Sequence, residues 1–540
     1  MLPDGKSDMI KYSEIETTDP ILFCYQKEMK HHVFTKWDII NNVMVQMPTG
    51  TGKTILFASI VRDIQNWIIS RNCNSHILIL AHVRELIQQA ADKLTKRGIS
   101  CGIIMSGVPM QLDKVVQVAS IQTFMSSKNK DRMAQENFDF IIIDEAHHSM
   151  APRYQRLWDL FPNSKKLGVT ATPWRMDHSG FTSLYNDIII SHPIEWFVKE
   201  GYLSNYDYIS IAPDSDIQRE INNIDRFGVD GDYLEEELIN RFDKDSIRAK
   251  LYESYSKFCQ GKKGIIYAIN RQHAANIKST YSSHGVNIEM IDGTTPKARR
   301  EELLDAFKKG GLQVIVNVNI FSEGFDCPDI EFIQLARPTK SLAMFLQQIG
   351  RGLRTYKNKE KGLILDNVGL YNRFGTPMAN RRWNYHFIGY SSDPTLYNDG
   401  STITRDIVFE DRELDYSEGD EQMNLVEHVE GGRQIRSAKS EDSNYGIGEY
   451  NVFKKQGKYG ICNRYNRTII PPIYDDMHPY HKGYIPFKIN GKWGIMLGNG
   501  IVKVKPKYYY IGAFENGKAL VQNTVESELY YINENLERIQ

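Results

Sequence analysis

The sequence predicts an α/β protein of parallel sheets covered by helices, joined to a small all-β unit at its C-terminal end. Three observations carry this. Short apolar runs at 43–47, 76–80, 115–118, 138–143 and 166–169 alternate with helical spacing at 55–68 and 83–96; such alternation builds parallel sheets with both faces covered. A glycine-rich stretch, Met47-Pro48-Thr49-Gly50-Thr51-Gly52-Lys53-Thr54, lies between the first run and the first helix. The last hundred residues repeat a short strand-like unit.

Composition bounds the rest. A chain of 540 residues is too long for one core, and about three domains are expected. Hydrophobic and charged fractions of 41% and 25% are ordinary for a globular protein. No apolar run approaches the roughly 20 residues of a membrane span, and the polar, mixed-charge stretch 1–11 does not read as a signal peptide. None of the six cysteines forms a C-x-x-C pair, which argues against a zinc site or a disulfide framework and fits a reducing cytoplasm. With a net charge of −1, any nucleic-acid contact must come from a local groove rather than a global basic excess.

In chain order, Leu22-Phe23-Cys24-Tyr25-Gln26 opens a helical pattern. The Gln26 amide suits the N6/N7 edge of adenine, and an aromatic neighbour could stack on the base; a surface glutamine on a helix is the plain alternative. In the loop, glycines let backbone N–H groups approach phosphate oxygens, and the following helix N-terminus adds partial positive charge. Lys53 can reach β/γ-phosphates, and the Thr54 hydroxyl can ligate Mg²⁺. Met47 stands where the strict G-x-x-x-x-G-K-[ST] pattern has its first glycine.

In parallel sheets ligands sit at the carboxyl ends of strands, so the polar residues there matter. The 138–143 run ends in Asp144-Glu145-Ala146-His147. Buried unpaired, two carboxylates would be costly; a Mg²⁺ ion on a bound nucleotide would compensate them, with Asp144 holding the metal and Glu145 orienting and deprotonating water. The 166–169 run leads into Gly168-Val169-Thr170-Ala171-Thr172-Pro173, two hydroxyls at another strand end.

MPTGTGKT, DEAH about 90 residues later and then TATP resemble the motor core of superfamily 2 helicases of the DEAD/DEAH class. The downstream half agrees. A strand at 264–268 opens a second strand–helix series, Gly324-Phe325-Asp326-Cys327-Pro328-Asp329 resembles the superfamily's fifth motif, and Gln347-Gln348-Ile349-Gly350-Arg351-Gly352-Leu353-Arg354 its Q-x-x-G-R-x-x-R sixth. Leu80-Ala81-His82-Val83-Arg84-Glu85-Leu86, Pro173-Trp174-Arg175 and the GRGLR run are similar to RadD-like and restriction-subunit-like bacterial duplex DNA motors.

The resemblance implies two RecA-like parallel-sheet lobes with ATP and Mg²⁺ between them, plus a small C-terminal all-β repeat domain. It gives lobe 1 at 1–204, a connecting segment and lobe 2 at 205–370, an acidic linker at 371–442 and the β domain at 443–540. It places Gln26, Gly50, Thr51, Gly52, Lys53, Thr54, Gly324 and Asp326 at ATP, and Thr54 and Asp144 at the metal. Lys53, Asp144, Glu145, Arg351 and Arg354 are the expected catalytic groups, both arginines reaching across from the second lobe. Thr170, Thr172 and Gln347 would couple hydrolysis to nucleic-acid binding. Arg84, Glu85, 120–123 with Gln122 and Thr123, Asn270, Arg271 and 317–319 with Asn317 would grip phosphates, giving affinity without strong sequence reading.

Between the lobes, 212–245 is charged and helical in pattern. The stretch 401–442 has twelve acidic residues against five basic ones and little apolar periodicity, which reads as a solvated linker. Beyond it, Gly457-Lys458-Tyr459-Gly460-Ile461 recurs as Gly491-Lys492-Trp493-Gly494-Ile495, with Tyr450, Phe453 and Lys454 falling on Tyr484, Phe487 and Lys488. Gly517-Lys518 starts a degenerate third copy. A period of 34 suits tetratricopeptide helices, but Tyr, Ile and Val in short runs with Asn-Gly turns are strand chemistry. The unit resembles the WG-repeat family. Its thirteen Lys and Arg against eight Asp and Glu permit weak phosphate contact and leave a protein partner open. The expected function is an ATP-dependent translocase or helicase on duplex DNA; the same motor on RNA, and an ATP-switched clamp that recruits partners through the β tail, are the alternatives. No nuclease, deaminase or methyltransferase signature accompanies it.

Overall fold

The structure is a computed structural model. It describes residues 11–81, 84–318, 327–357, 359–379, 381–389 and 423–429, and within the C-terminal stretch 450–455, 458–463, 468–478, 484–489, 491–497, 502–512, 518–524, 527–533 and 537–539. Gly324 and Asp326 lie outside the described residues, as does the side chain of Glu85. Two compact units are present, 1–438 and 439–540.

The first unit holds two sheets. One contains β1 (Asn42–Gln46), β2 (His76–Ala81), β3 (Cys101–Ile104), β4 (Val116–Ser120), β5 (Phe138–Asp144), β6 (Lys165–Thr170) and β7 (Asp187–Ile190) in the order β3-β4-β2-β5-β6-β1-β7, all parallel. The second contains β8 (Tyr206–Ser210), β9 (Gly264–Tyr267), β10 (Ile288–Ile291), β11 (Val314–Asn317), β12 (Phe332–Leu335), β13 (Gly362–Asp366) and β14 (Asn424–Val429) in the order β10-β11-β9-β12-β13-β8-β14, parallel except for β14. These are two RecA-like lobes. The central strands read as unbroken apolar runs because helices cover both faces: Ile77, Ile79, Phe140 and Ile142 enter the core on one side, and Leu78, Leu80, Ile141 and Ile143 that on the other.

The acidic stretch is not linker throughout. Within it, β14 adds to the open edge of β8, and the Tyr206 hydroxyl and the Thr376 hydroxyl (2.9 Å) both donate to Glu427. At 371–389, buried Arg381 donates to the carbonyls of Phe374, Thr376, Pro377 and Ala379. The Trp383–Ile388 helix then returns the chain to the first lobe, where Phe181 N–H donates to Phe387 O at 2.7 Å and Ser179 bridges Gly389.

The second unit is all antiparallel. β15 (Tyr450–Lys455), β16 (Lys458–Asn463) and β17 (Thr468–Tyr474) form one sheet. β18 (Asp476–Met477), β19 (Tyr484–Ile489), β20 (Lys492–Leu497) and β21 (Val502–Tyr508) form the next, and β22 (Tyr510–Ile511), β23 (Lys518–Gln522), β24 (Tyr530–Asn533) and β25 (Arg538–Ile539) the last. The repeat is visible in register: Lys454 pairs Tyr459 in one hairpin as Lys488 pairs Trp493 in the next. The aromatic of the repeat is core, since Trp493 packs with Ile495, Tyr508, Ile511 and Val521. The glycine after it is needed for close approach, because a Cβ on Gly494 would lie 2.6 Å from Val504 O.

Candidate active site

The site begins where β1 ends. Met47 N–H donates to Thr170 O at 3.0 Å, after which the chain leaves the sheet. Gly50 and Gly52 turn it with φ of +90° and +84°, and Gly52 caps the Lys53–Ser70 helix. The loop is held from its carbonyl side. Tyr25 Oη donates to Thr51 O at 2.8 Å, and Gln26 Nε2 to the same oxygen at 3.2 Å. A Cβ on Gly52 would lie 2.4 Å from that amide nitrogen, so glycine is required by both conformation and space.

This corrects the reading of the Tyr25–Gln26 pair. Gln26 is buried, with its oxygen accepting from Phe23 N–H at 3.0 Å and its nitrogen on the loop. In this conformation it braces the loop and does not present its amide to a base. Tyr25, one of the two aromatic neighbours, is likewise buried and acts through its hydroxyl.

β5 and β1 flank β6, so the ends of three adjacent strands converge. Lys53 opens the helix with Nζ 3.4 Å from Met47 O. Burial holds its ammonium below the usual lysine range, while the charges of Glu145 and Asp144 act to raise it and that of Arg354 to lower it. Asp144 Oδ1 accepts from Glu145 N–H at 3.0 Å. Glu145 adopts φ of +49°, a left-handed conformation that costs energy for a non-glycine residue and is typical of functional turns. His147 Nδ1 lies 3.4 Å from a Glu145 carboxylate oxygen and 3.1 Å from Thr170 Oγ1. Thr170 Oγ1 in turn accepts from Thr172 N–H at 3.2 Å. Thr170 and Thr172 are both buried, so the tetrad and the TAT turn form one connected network behind the acidic pair.

The second lobe supplies the opposite wall. Ser341 caps the Leu342–Gly352 helix, accepting from Met344 N–H at 3.2 Å, and the helix is buried along its length, Gln347 and Arg351 included. Its C-terminal end meets the phosphate loop: a Cβ on Gly350 would lie 2.6 Å from Thr49 Cβ, and one on Gly50 would lie 3.4 Å from Arg354 Cγ. Ser204 N–H donates to Leu353 O at 2.7 Å. Arg351 lies beside the Tyr267 hydroxyl at the end of β9. Lys359 Nζ donates to the carbonyls of Gly352 and Arg354 and fixes the turn that carries Arg354; burial lowers it to about 7. The Gly350–Thr49 contact, Lys359 and the His147–Thr170 link connect residues far apart in the chain, and no local pattern announces them.

Cationic Lys53 and Arg354 thus act on one another beside two carboxylates, at a helix N-terminus. Like charges this close are stable with an anion between them. The donor set therefore fits a nucleotide phosphate with a divalent cation.

Because Gly350 sets how closely the lobes meet, Gly350→Val should hold them apart. Turnover of ATP is expected to fall by about 10²-fold, the cost of ångström-scale misplacement of catalytic groups, with thermal unfolding of each lobe little changed. Wild-type turnover in steady-state phosphate release would show that this contact is not made during catalysis.

The expected phosphate-gripping residues gather at other strand ends. Arg84 follows β2 and is exposed; Gln122 and Thr123 follow β4 in the Ile121–Phe124 helix, whose cap Ser120 donates to Gln122 Oε1 at 2.7 Å. Asn270 caps the Arg271–Ser283 helix after β9 and donates to Glu235 Oε1 at 3.0 Å, while Arg271 Nε pairs with Asp292 Oδ2 at 3.0 Å. Asn317 departs from expectation: it ends β11, between β10 and β9, and is 1% exposed, so a surface grip on phosphate is closed to it here. In the first lobe β4-β2 lie beyond β5 from the nucleotide loop, so the two sets share one edge of the sheet at different places along it.

Residues 20–175 match the family model of the type III restriction enzyme res subunit, 247–356 that of the helicase conserved C-terminal domain, and 459–493 and 499–524 that of the WG containing repeat. A 51.5 kDa protein of a Lactococcus phage (isolate 7-9) is 31% identical over 347 residues, covering 64% of this chain and 70% of that one. A Saccharomyces cerevisiae protein named as an ATP-dependent helicase is 29% identical over 335 residues, 60% of this chain and 48% of its own, so this chain spans about half the length of that relative. A solved fragment described as a subunit of a type I restriction enzyme from Vibrio vulnificus YJ016 overlays with a TM-score of 0.53 at 20% identity, over 72% of this chain and 70% of that one, a likeness of fold. Among the described residues no helix is long and apolar enough to cross a membrane.

Proposed function

This chain belongs to the superfamily 2 helicases and carries WG repeats in its C-terminal part, and from that premise we propose that it is an ATP-driven translocase acting on duplex DNA. One observation carries the reading: the end of the arginine helix in the second lobe meets the glycine loop of the first, with Gly350 against Thr49 and the Arg354 stem against Gly50, where Lys53 feels the charges of Glu145, Asp144 and Arg354. Duplex DNA is favoured over RNA because the family model over the first lobe is that of a restriction enzyme subunit.

The roles follow from position. Loop amides around Gly50, Thr51 and Gly52, with Lys53, hold the β- and γ-phosphates of ATP. Thr54 and Asp144 are the groups to hold Mg²⁺, which when bound neutralises charge on the phosphate oxygens. Glu145 orients a water and takes its proton as the oxygen attacks the γ-phosphorus; the bond to the bridging oxygen breaks, releasing ADP and phosphate. Arg351 and Arg354 stabilise the charge on the transferring group only when the lobes meet. The Glu145–His147–Thr170 chain links the acidic pair to the Thr170–Thr172 turn, the pair that couples hydrolysis to nucleic-acid binding. Gln347, buried on the arginine helix, is assigned to the same coupling. Gln26 positions the loop.

The test is ATP turnover by the whole chain without nucleic acid and with single-stranded DNA, duplex DNA or RNA. Duplex DNA should stimulate most. Equal or greater stimulation by RNA would move the substrate class, and ATP binding with no turnover under any condition would make the chain a nucleotide-switched clamp.

A further inference from the structure

We propose that β21 of the C-terminal unit is a docking strip for the phosphate backbone of duplex DNA, formed by Lys503, Lys505 and Lys507. The inference rests on the reading that the chain works on DNA and adds a contact outside the motor lobes. β21 reads Val-Lys-Val-Lys-Pro-Lys-Tyr and lies at the edge of its four-stranded sheet. Tyr508 and Val504 face Trp493 and Ile495 across the strand pair and pack in the core. Alternation then turns the three lysines outward, and all three are exposed. Alternate residues of a strand stand roughly 6.6–6.8 Å apart, the scale on which successive phosphates follow one another along a nucleic-acid strand.

Charge selects the occupant. Residues 477–514 hold six lysines and no aspartate or glutamate, so the eight acidic residues of 443–540 all lie outside this stretch. Among the described residues none of the three lysines pairs with a carboxylate, whereas Lys458 in the first repeat pairs with Asp475 at 2.7 Å. Lys507 Nζ also lies 4.9 Å from the Tyr508 ring centroid, a cation–π contact within its own strand. A single lysine is enough to guard a sheet edge against pairing with another chain; three in alternation within an acid-free stretch exceed that need. Pro506 at this edge removes an N–H donor, which disfavours strand addition by a peptide and leaves the side chains as the recognition element. The surface is cationic rather than apolar, which suits phosphate contacts without base reading.

The test compares the full chain with K503Q/K505Q/K507Q and with a charge-matched control, K297Q/K308Q/K309Q, on the second lobe. Binding of a fluorescent duplex is titrated without nucleotide at several salt concentrations, and DNA-stimulated ATP turnover is followed separately. The strip variant should bind about tenfold more weakly at low salt, and its plot of log affinity against log salt should be shallower by about 2 to 3, the loss of roughly 0.9 per phosphate contact. Its turnover at saturating DNA should match that of the unaltered chain. Equal affinity and equal salt slope in all three proteins would overturn the strip while leaving the motor reading intact. Loss of binding in the strip variant alone, with no nucleic-acid effect on turnover even in the unaltered chain, would keep the strip and overturn the motor reading.

Discussion

Glu145→Gln should lower ATP turnover by about 10²–10⁴-fold, the contribution of a positioned general base, while nucleotide affinity stays close to that of the unaltered chain. The side chain keeps its shape, and the left-handed turn at φ +49° is untouched. Asp144, Lys53 and the loop remain as they are, so the phosphates are still held. What disappears is the carboxylate that accepts a proton from water and lies 3.4 Å from His147. An amide at that place can still hydrogen-bond His147, so the link to Thr170 persists and the variant should accumulate in a nucleotide-bound, DNA-bound state. Fluorescent-nucleotide titration and phosphate release measure the two halves separately. Turnover at the unaltered rate would mean that another residue positions the water.

How much of this was legible in the sequence depends on distance along the chain. The strands of the first lobe announced themselves because a central parallel strand is apolar on both faces, as 140–143 is. The glycine loop, the acidic tetrad and the TAT turn were readable because each is a contiguous run at a strand end. The repeat of the C-terminal unit was readable because its period places like residues at like register. What failed locally was non-local. Gln26 looks like a free amide until its partner, a carbonyl 25 residues on, is in place. Asn317 looks like a polar strand end until β11 is seen between β10 and β9. Asn424–Val429 sits among acidic residues that hide a strand; the open edge of β8 supplies the pairing that its own sequence does not. The Gly350–Thr49 contact spans three hundred residues, and a glycine in a helix carries no mark of what approaches it.

That contact also frames the largest expected effect. Arg351→Ala and Arg354→Ala should each lose about 10³–10⁵ in turnover, the range for arginines that act on a transferring phosphoryl group from an opposing element, with a much smaller loss of nucleotide affinity. The two should differ in character. Arg354 packs its stem against the phosphate loop at Gly50 and feels Lys53 directly, so its removal also relieves cationic repulsion on Lys53 and should leave ground-state binding nearly unchanged. Arg351 is 3% exposed beside Tyr267, and its loss opens space within the second lobe, so a modest drop in thermal stability should accompany the kinetic loss. Lysine at either place keeps the charge but not the planar fork that matches phosphate oxygens, and should recover only part of the rate. Phosphate release at saturating ATP and duplex DNA, set beside fluorescent-nucleotide affinity, decides the matter. Binding and turnover that fall by equal factors would make these ground-state contacts, and closure of the lobes would then not be the step that completes the site.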